Sequence, residues 1–114
     1  MINSSPALED VAYLCRLPRL FRGGTESARK LVHKSRTRPD VITVDAIKAV
    51  LSTDPQLIDE WRWFSEDKRT STGWYFESQD GSHVVGNLRG DRLEFPDAAS
   101  ACAEFILREL RVIW

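Results

Sequence analysis

The spacing of apolar residues changes once along the chain, and this change limits the fold more than any other feature. Up to residue 64, apolar residues recur every three or four positions, which is the spacing of amphipathic helices. The last group with this spacing is Leu57, Ile58, Trp61 and Phe64. From Gly73 onward apolar and polar residues alternate, with Trp74 and Phe76 on one side, which indicates strands. Helices followed by strands predict an α+β fold.

Boundary signals divide the first part of the chain into helices. Ser5-Pro6 is a serine N-cap followed by a proline at the first helical position. We expect this first helix to end by about Leu17, because Pro18 follows it. Gly23-Gly24 interrupts the chain, and the second helix is predicted over about residues 26–34.

Further caps and turns define the remaining elements. Thr43 caps the third helix, and Asp54-Pro55 opens the fourth. Asp80-Gly81 suits the left-handed backbone of a tight hairpin, and Gly90-Asp91 makes the next turn, so the strands form an antiparallel meander. Asp97 caps a long last helix, which we expect to lie across one face of the sheet.

These elements predict an α+β fold with N-terminal helices, a three-stranded antiparallel β-meander and a long C-terminal helix packed on the sheet. No linker or repeat divides the chain, so a single domain is expected over residues 1–114. The net charge of −1 gives no overall attraction to nucleic acid or to a membrane. The sequence has no signal-peptide pattern and no apolar run of membrane-spanning length, which favours the cytoplasm.

The sequence carries no strong signature of catalysis, cofactor binding or metal binding, so we expect a protein that is not an enzyme and needs no cofactor. Cys15 and Cys102 stand among apolar neighbours and are predicted to be buried, reduced thiols. A zinc site would need a CxxC or HxxxH spacing, and the sequence has neither. His33 and His83 belong to no known short catalytic motif.

Two features that could suggest a function are better explained by structure. Arg89-Gly90-Asp91 is the tripeptide of some adhesion ligands, but its last two residues fit a turn between strands. Helical spacing places Glu109 within the apolar stripe of the last helix, where a carboxylate is costly unless it is paired. We expect it to pair with an arginine or lysine, with Lys68-Arg69 as one source, or to lie beyond the sheet edge. The functional alternative is an acid with a raised pKa in a cleft.

The outer face of the fourth predicted helix is the strongest candidate for a partner-binding site. Asp59, Trp63, Glu66 and Asp67 fall together on this face, opposite the apolar residues of the same helix. An exposed aromatic side chain surrounded by charges is typical of a protein-binding hot spot. The alternative is that Trp63 packs under the N-terminal helices and leaves nothing exposed.

The basic segment 16–38 is the second candidate, because it holds eight cations and one acid. The candidate nucleic-acid-binding residues are Arg29, Lys30, Lys34, Arg36 and Arg38. Clustered cations can contact phosphates, which would make the chain a small nucleic-acid-binding or regulatory protein. Base recognition usually adds aromatic side chains, and Phe21 is the one aromatic residue of the segment. A solvated face and an acidic protein partner are the other interpretations.

The C-terminal half resembles the small bacterial immunity proteins that neutralise toxins of contact-dependent growth inhibition and related polymorphic toxin systems. The resemblance covers about residues 40–110. It is carried by Asp67-Lys68-Arg69, by Gly73-Trp74-Tyr75-Phe76, by the short meander and by Ala101-Cys102-Ala103-Glu104-Phe105-Ile106. It implies a non-enzymatic cytosolic protein that binds the C-terminal toxin domain of a partner, often a nuclease, and blocks its active site. The acidic face around Trp63 would then meet a basic nuclease cleft.

Overall fold

The computed structural model describes residues 8–20, 25–35, 41–66 and 72–114. Over these ranges the chain has the predicted α+β architecture, with helices first, then a three-stranded sheet, then a long helix packed on the sheet. The helices are α1 (Leu8–Cys15), α2 (Leu17–Leu20), α3 (Thr25–His33), α4 (Val44–Thr53), α5 (Gln56–Glu66) and α6 (Ala98–Ile113). The strands are β1 (Trp74–Gln79), β2 (Ser82–Asn87) and β3 (Arg92–Glu94). Within the described ranges, none of the helices is long and apolar enough to span a lipid bilayer.

The N-terminal helices differ from the prediction at Pro18. α1 ends at Cys15, and the short helix α2 follows with Pro18 as its second residue. Proline is tolerated in the first turn of a helix because its missing N–H would have no helical partner there. The described residues therefore form five helices before the sheet instead of the four predicted. The predicted helix start at Ser5-Pro6 lies outside the described residues.

Two of the predicted caps are confirmed by hydrogen bonds. The Thr43 hydroxyl accepts the N–H of Ala46 at 3.1 Å and begins α4. The Asp97 carboxylate accepts the N–H of Ser100 at 2.7 Å and begins α6. Each cap satisfies a backbone donor that the first turn of its helix leaves without a helical partner. Local capping chemistry therefore sets both helix starts.

The sheet has the strand order β1-β2-β3, and both pairs are antiparallel. Asp80 and Gly81 form the predicted two-residue hairpin turn, with φ angles of 53° and 78°. Positive φ at both positions matches the right-handed twist of the two strands. The next turn begins at Asn87, whose side-chain oxygen accepts the N–H groups of Arg89 and Asp91. The Arg-Gly-Asp tripeptide is thus part of a tight turn, as predicted.

One apolar core lies between the helices and the inner face of the sheet. The ring centroid of Trp61 in α5 lies 4.8 Å from that of Phe64 and 5.9 Å from that of Phe105 in α6. Phe76 of β1 stacks on Phe105 with centroids 5.9 Å apart. These four buried rings join α5, α6 and the sheet, so α5 is held by the core along its apolar face.

The two cysteines belong to this core and form no disulfide, as predicted. Burial raises the pKa of the Cys15 thiol to about 12, against a smaller lowering by the charge of Arg16. Burial also raises the pKa of Cys102 well above its usual value. Both thiols therefore stay protonated at neutral pH and act as small apolar groups.

Candidate protein-binding site

The outer face of α5 is exposed, and Trp63 lies on it. The Trp63 side chain is 53% exposed, whereas Trp61, two residues earlier, is fully buried. The interpretation that Trp63 packs under the N-terminal helices is therefore wrong. Asp59, Trp63 and Glu66 lie within about 60° of one another around the helix, at 100° per residue. We call these three residues the α5 face.

Hydrogen bonds hold α5 in place on the sides away from this face. The Trp61 indole N–H donates to the carbonyl of Cys15 at 2.7 Å, which joins α5 to α1. On the strand side, the Ser65 hydroxyl accepts the N–H of Phe76 at 2.8 Å. Because these contacts use the inner and lateral sides of the helix, the α5 face is a fixed platform that points outward.

An arginine from α2 fixes the start of α5. The guanidinium of Arg19 donates to the Asp54 carboxylate at 2.9 Å and to the Glu60 carboxylate at 2.5 Å. The three side chains are partly exposed, so the pairing contributes modestly to stability. It also pairs the Glu60 carboxylate with a cation, which makes Glu60 the least available of the three carboxylates of this helix.

The charges of the α5 face are accessible. The Asp59 side chain is 60% exposed, and it pairs with Arg62 at an N–O distance of 3.4 Å. Arg62 itself turns toward the sheet, where it donates to the carbonyl of Ser78 at 3.3 Å. Glu66 is exposed at the last position of α5. Asp67, the fourth predicted member of the site, lies outside the described residues.

A cleft of about 570 Å³ adjoins the α5 face. It lies between the last turn of α5, the edge strand β1 and the inner part of α6. Glu66 lines this cleft and also belongs to the α5 face, so the two features are continuous. Leu88, which is 86% exposed, lines the cleft from the turn after β2. β2 ends at Asn87, so Leu88 belongs to the turn and not to the strand.

Glu109 lies in the wall of this cleft and is only 1% exposed. Its position within the apolar stripe of α6 is confirmed. Its carboxylate accepts a hydrogen bond from the Thr72 hydroxyl, and the Thr72 oxygen accepts the N–H of Trp74 at 3.3 Å. This chain of contacts ties α6 to the start of β1. The expected pairing with Lys68-Arg69 lies outside the described residues.

The basic segment contributes to packing as well as to the surface. The Arg29 Nε donates to the carbonyl of Ile113 at 2.8 Å, and the His33 ring lies 4.4 Å from the Trp114 ring. These contacts attach α3 to the end of α6. Lys30 and Lys34 are exposed. The remaining predicted members, Arg36 and Arg38, lie outside the described residues.

In the described part of the chain, no three His, Cys, Asp or Glu side chains come together in a way that could hold a metal ion. His83 interacts with the Ser78 hydroxyl across the hairpin at 2.7 Å. No protein family, curated protein or solved structure matches the chain. The functional argument therefore rests on the α5 face and the cleft beside it.

The cleft was missed at the sequence level. Its members come from α5, β1, α6 and the turn after β2, which are far apart in the chain. The one available signal was Glu109, whose carboxylate interrupts the apolar stripe of α6. A buried carboxylate often marks a cleft or a charge pair, but sequence spacing alone does not choose between them.

Proposed function

We propose that this protein is a non-enzymatic cytoplasmic inhibitor that binds a toxin domain and neutralises it, as immunity proteins of contact-dependent growth inhibition and related systems do. The observation that carries the proposal is the exposed indole of Trp63 between the carboxylates of Asp59 and Glu66. The partner is the C-terminal domain of a cognate toxin, and the α5 face binds over its active site.

The position of Trp63 supports binding to a protein. Tryptophan is enriched among residues that dominate interface energies, because its ring buries a large area. A large aromatic side chain left half exposed on a monomer gains free energy when a partner covers it. Since α5 is held by the core and by hydrogen bonds, little backbone entropy is lost when the partner binds.

The flanking charges support a basic partner, and a nuclease is the toxin class that fits. Nuclease active sites bind phosphates and therefore carry cationic clefts. Asp59 and Glu66 on either side of Trp63 would attract such a cleft during the encounter. An acidic helix with a central aromatic anchor could then occupy the position of the nucleic-acid backbone and block access to it.

The test is a calorimetric titration against the C-terminal domain encoded by the gene immediately upstream, with cell survival on co-expression scored in parallel. Tight binding together with survival is expected. Trp63→Ala should weaken binding by about 30-fold, which corresponds to about 2 kcal/mol. Leu93→Ala is the matched control, because Leu93 is a partly exposed apolar residue on β3, at the sheet edge far from α5.

Two results would contradict the proposal. One is tight binding that Trp63→Ala leaves unchanged in a folded variant, which would remove the α5 face from the interface. The other is no toxin binding together with oligonucleotide binding that weakens steeply as salt is raised. The second result would favour the basic segment, in which Lys30 and Lys34 are exposed.

A further inference from the structure

The two edges of the sheet differ in how their backbone groups are used. β1 forms the edge beside α5, and side chains of that helix bond to it. The Ser65 hydroxyl accepts the N–H of Phe76 at 2.8 Å. Arg62 donates to the carbonyl of Ser78 at 3.3 Å. β3 forms the other edge, and all three of its residues are exposed, so this edge is accessible to a further strand.

The hydrogen bonds on either side of β3 show which of its backbone groups bond to β2. Phe95 donates to the carbonyl of His83 at 2.9 Å, and the carbonyl of Asp91 accepts the N–H of Asn87 at 3.1 Å. In an antiparallel ladder, pairs that exchange hydrogen bonds alternate with pairs that do not. Leu93 lies midway between these two bonded positions, so its N–H and C=O groups bond to β2.

Arg92 and Glu94, on either side of Leu93, carry the backbone groups that point away from the sheet. Because Leu93 bonds to β2, the N–H and C=O groups of its two neighbours face the opposite direction. Within the described part of the chain, no residue bonds to these outward groups. A strand placed along β3 would satisfy a donor and an acceptor at each of the two residues.

The sequence of β3 is complementary to itself about Leu93. When two β3 strands pair antiparallel with Leu93 facing its own copy, Arg92 lies opposite Glu94 of the second copy, and Glu94 lies opposite Arg92. Opposite charges at facing positions stabilise a strand pair, and like charges destabilise it. Within one chain the two side chains make only a long contact of 3.8 Å, and they are 51% and 75% exposed. They therefore lose little when each takes the opposite charge of a second copy.

Leu93 adds an apolar contact at the centre of this arrangement. It faces the buried Val85 of β2, yet it remains 39% exposed. Because its own backbone groups bond to β2, the two facing leucines would occupy a non-hydrogen-bonded position, where the side chains of neighbouring strands approach most closely. Pairing therefore covers the exposed part of both leucines and removes apolar surface from water.

Two features limit such pairing to two copies. Side chains of α5 bond to the edge at β1, so β3 is the one open edge among the described strands. A pair made through one edge of each copy closes about a two-fold axis and does not grow into a filament. Pro96, just after the strand, has no N–H with which to extend the ladder.

We propose that this protein self-associates through β3, which pairs antiparallel with β3 of a second copy and joins the two sheets into one. The association is weak, with a dissociation constant of about 0.1–1 mM, because a three-residue strand covers far less than the roughly 1,200 Å² of a stable interface. β2 lies between β3 and β1, and α5 packs on β1, so pairing uses the edge of the sheet opposite α5. At the concentration of a toxin titration, about 10 µM, the protein is monomeric, and substitutions in β3 remain controls for toxin binding.

The first test is amide hydrogen exchange and ¹⁵N NMR of the unmodified protein between about 0.02 and 2 mM. The amides of Arg92 and Glu94 should become protected as the concentration rises, whereas that of Leu93 should be protected throughout. Concentration-dependent shifts are expected at residues 91–95. No change over this range, or changes confined to the α5 face, would overturn the inference.

Charge reversal tests the register of the pair. Arg92→Glu or Glu94→Arg alone should weaken self-association about tenfold, because each places like charges opposite one another. An equimolar mixture of the two variants should associate as strongly as the unmodified protein, since each supplies the charges that the other needs. Arg111→Glu, at an exposed position of α6, is the control for the change in net charge and should associate normally.

Sedimentation equilibrium compares these samples. A mixture that associates no better than its two components, or an equal loss with Arg111→Glu, would contradict pairing through β3. Self-association and toxin binding are independent results. Toxin binding by a protein that stays monomeric up to about 2 mM would refute the inference and leave the proposed function intact. Pairing through β3 without toxin binding would refute the proposed function alone.

Discussion

The indole N–H of Trp61 donates to the backbone carbonyl of Cys15 at 2.7 Å, across 46 positions of sequence. Cys15 is the last residue of α1, so this bond joins a helix end to the middle of α5. Trp63 lies two residues further along the same helix. The buried indole therefore determines which way the exposed one points.

Replacing Trp61 with phenylalanine should lower the free energy of unfolding by about 2–4 kcal/mol. The variant loses a buried hydrogen bond, places an apolar ring against the Cys15 carbonyl, and leaves space that the indole had filled. Urea unfolding followed by circular dichroism measures the change. The control is Trp63→Phe, which should change stability by less than about 0.5 kcal/mol, because that side chain is half exposed. Equal costs for the two variants would contradict this assignment of roles.

The acidic residues of the α5 face should act on the rate of partner association. Asp59→Asn combined with Glu66→Gln should slow association with the toxin domain by about two- to tenfold at low salt, because the charges steer the encounter. The difference from the unmodified protein should shrink as salt is raised. Stopped-flow fluorescence measures both effects, with Glu94→Gln on β3 as the control. A change confined to the dissociation rate would argue against steering.

The elements of this fold could be predicted because their signals are local. The cap at Asp97 and the turn at Asp80-Gly81 depend on chemistry within a few residues, and both are confirmed. The helix boundary at Pro18 was harder to predict. A proline after a helix is compatible with the end of that helix and equally with the first turn of a new one. The choice depends on the packing of α2 against α3 and α5, which lie later in the chain.

The candidate site could be predicted only in part. Helical periodicity places Trp63 away from Leu57 and Phe64, but it does not say whether another element covers that side. The structure answers this, because α2 reaches α5 through Arg19 at Asp54 and Glu60 and leaves Trp63 half exposed. The cleft depends on tertiary contacts between distant segments and so has no local signal.

The close approach of Tyr75 to Gly86 should make Gly86→Ala destabilising by about 1–3 kcal/mol. Gly86 is buried opposite Tyr75 in the β1–β2 register. A Cβ atom at residue 86 would overlap the Tyr75 phenol and would lie 2.8 Å from the backbone oxygen of Asp91. The phenol can move, but the Asp91 carbonyl belongs to the turn and accepts the Asn87 N–H.

A double variant separates the two overlaps at Gly86. Gly86→Ala should cost less stability when Tyr75 has already been replaced by alanine than when Tyr75 is present. It should still cost some stability in that background, because the overlap with the Asp91 backbone remains. Thermal unfolding of the four proteins gives this interaction energy. Full recovery would place the whole cost on the phenol, and no recovery would place it on the turn.

Because Asp97 caps α6, the stability of the protein should depend on pH in the acid range. The N–H of Ser100, and then its hydroxyl, bond to the carboxylate and lower the pKa of Asp97 below its usual value of 3.8. The pKa of Asp97 is lower in the folded state than in the unfolded state. The ionised carboxylate therefore stabilises the fold fully above pH 3.8, and this stabilisation is lost as the pH falls through the folded-state pKa. Asp97→Asn keeps the capping oxygen but cannot titrate.

Urea unfolding of the two proteins between about pH 2.5 and 6 tests this linkage, because the other carboxylates cancel in the difference. The difference in unfolding free energy between the unmodified protein and Asp97→Asn should be constant at the upper end of this pH range. At lower pH it should shift in favour of Asp97→Asn. Asp97→Ala should cost about 1 kcal/mol near neutral pH, since it removes the cap. Parallel curves down to the lowest pH would show that Asp97 does not titrate differently on folding.

The buried thiols should react only when the chain unfolds. Burial raises the pKa of Cys15 to about 12 and raises that of Cys102 well above its usual value, so almost no thiolate is present at pH 8. We expect the disulfide reagent DTNB to label both cysteines at the rate of unfolding, with both accessible at once in denaturant. Ser52→Cys gives an exposed thiol on α4 as the control and should react much faster.

The same burial predicts a loss of stability in alkali. The folded-state pKa of Cys15 lies above the unfolded value of 9.0, so its stabilising contribution is complete below pH 9.0 and is lost as the pH rises toward 12. Replacing both cysteines with alanine should remove this part of the alkaline loss, at the cost of some packing at all pH values. A native-state thiol that reacts as fast as the one in Ser52→Cys would contradict the buried, protonated state on which both expectations depend.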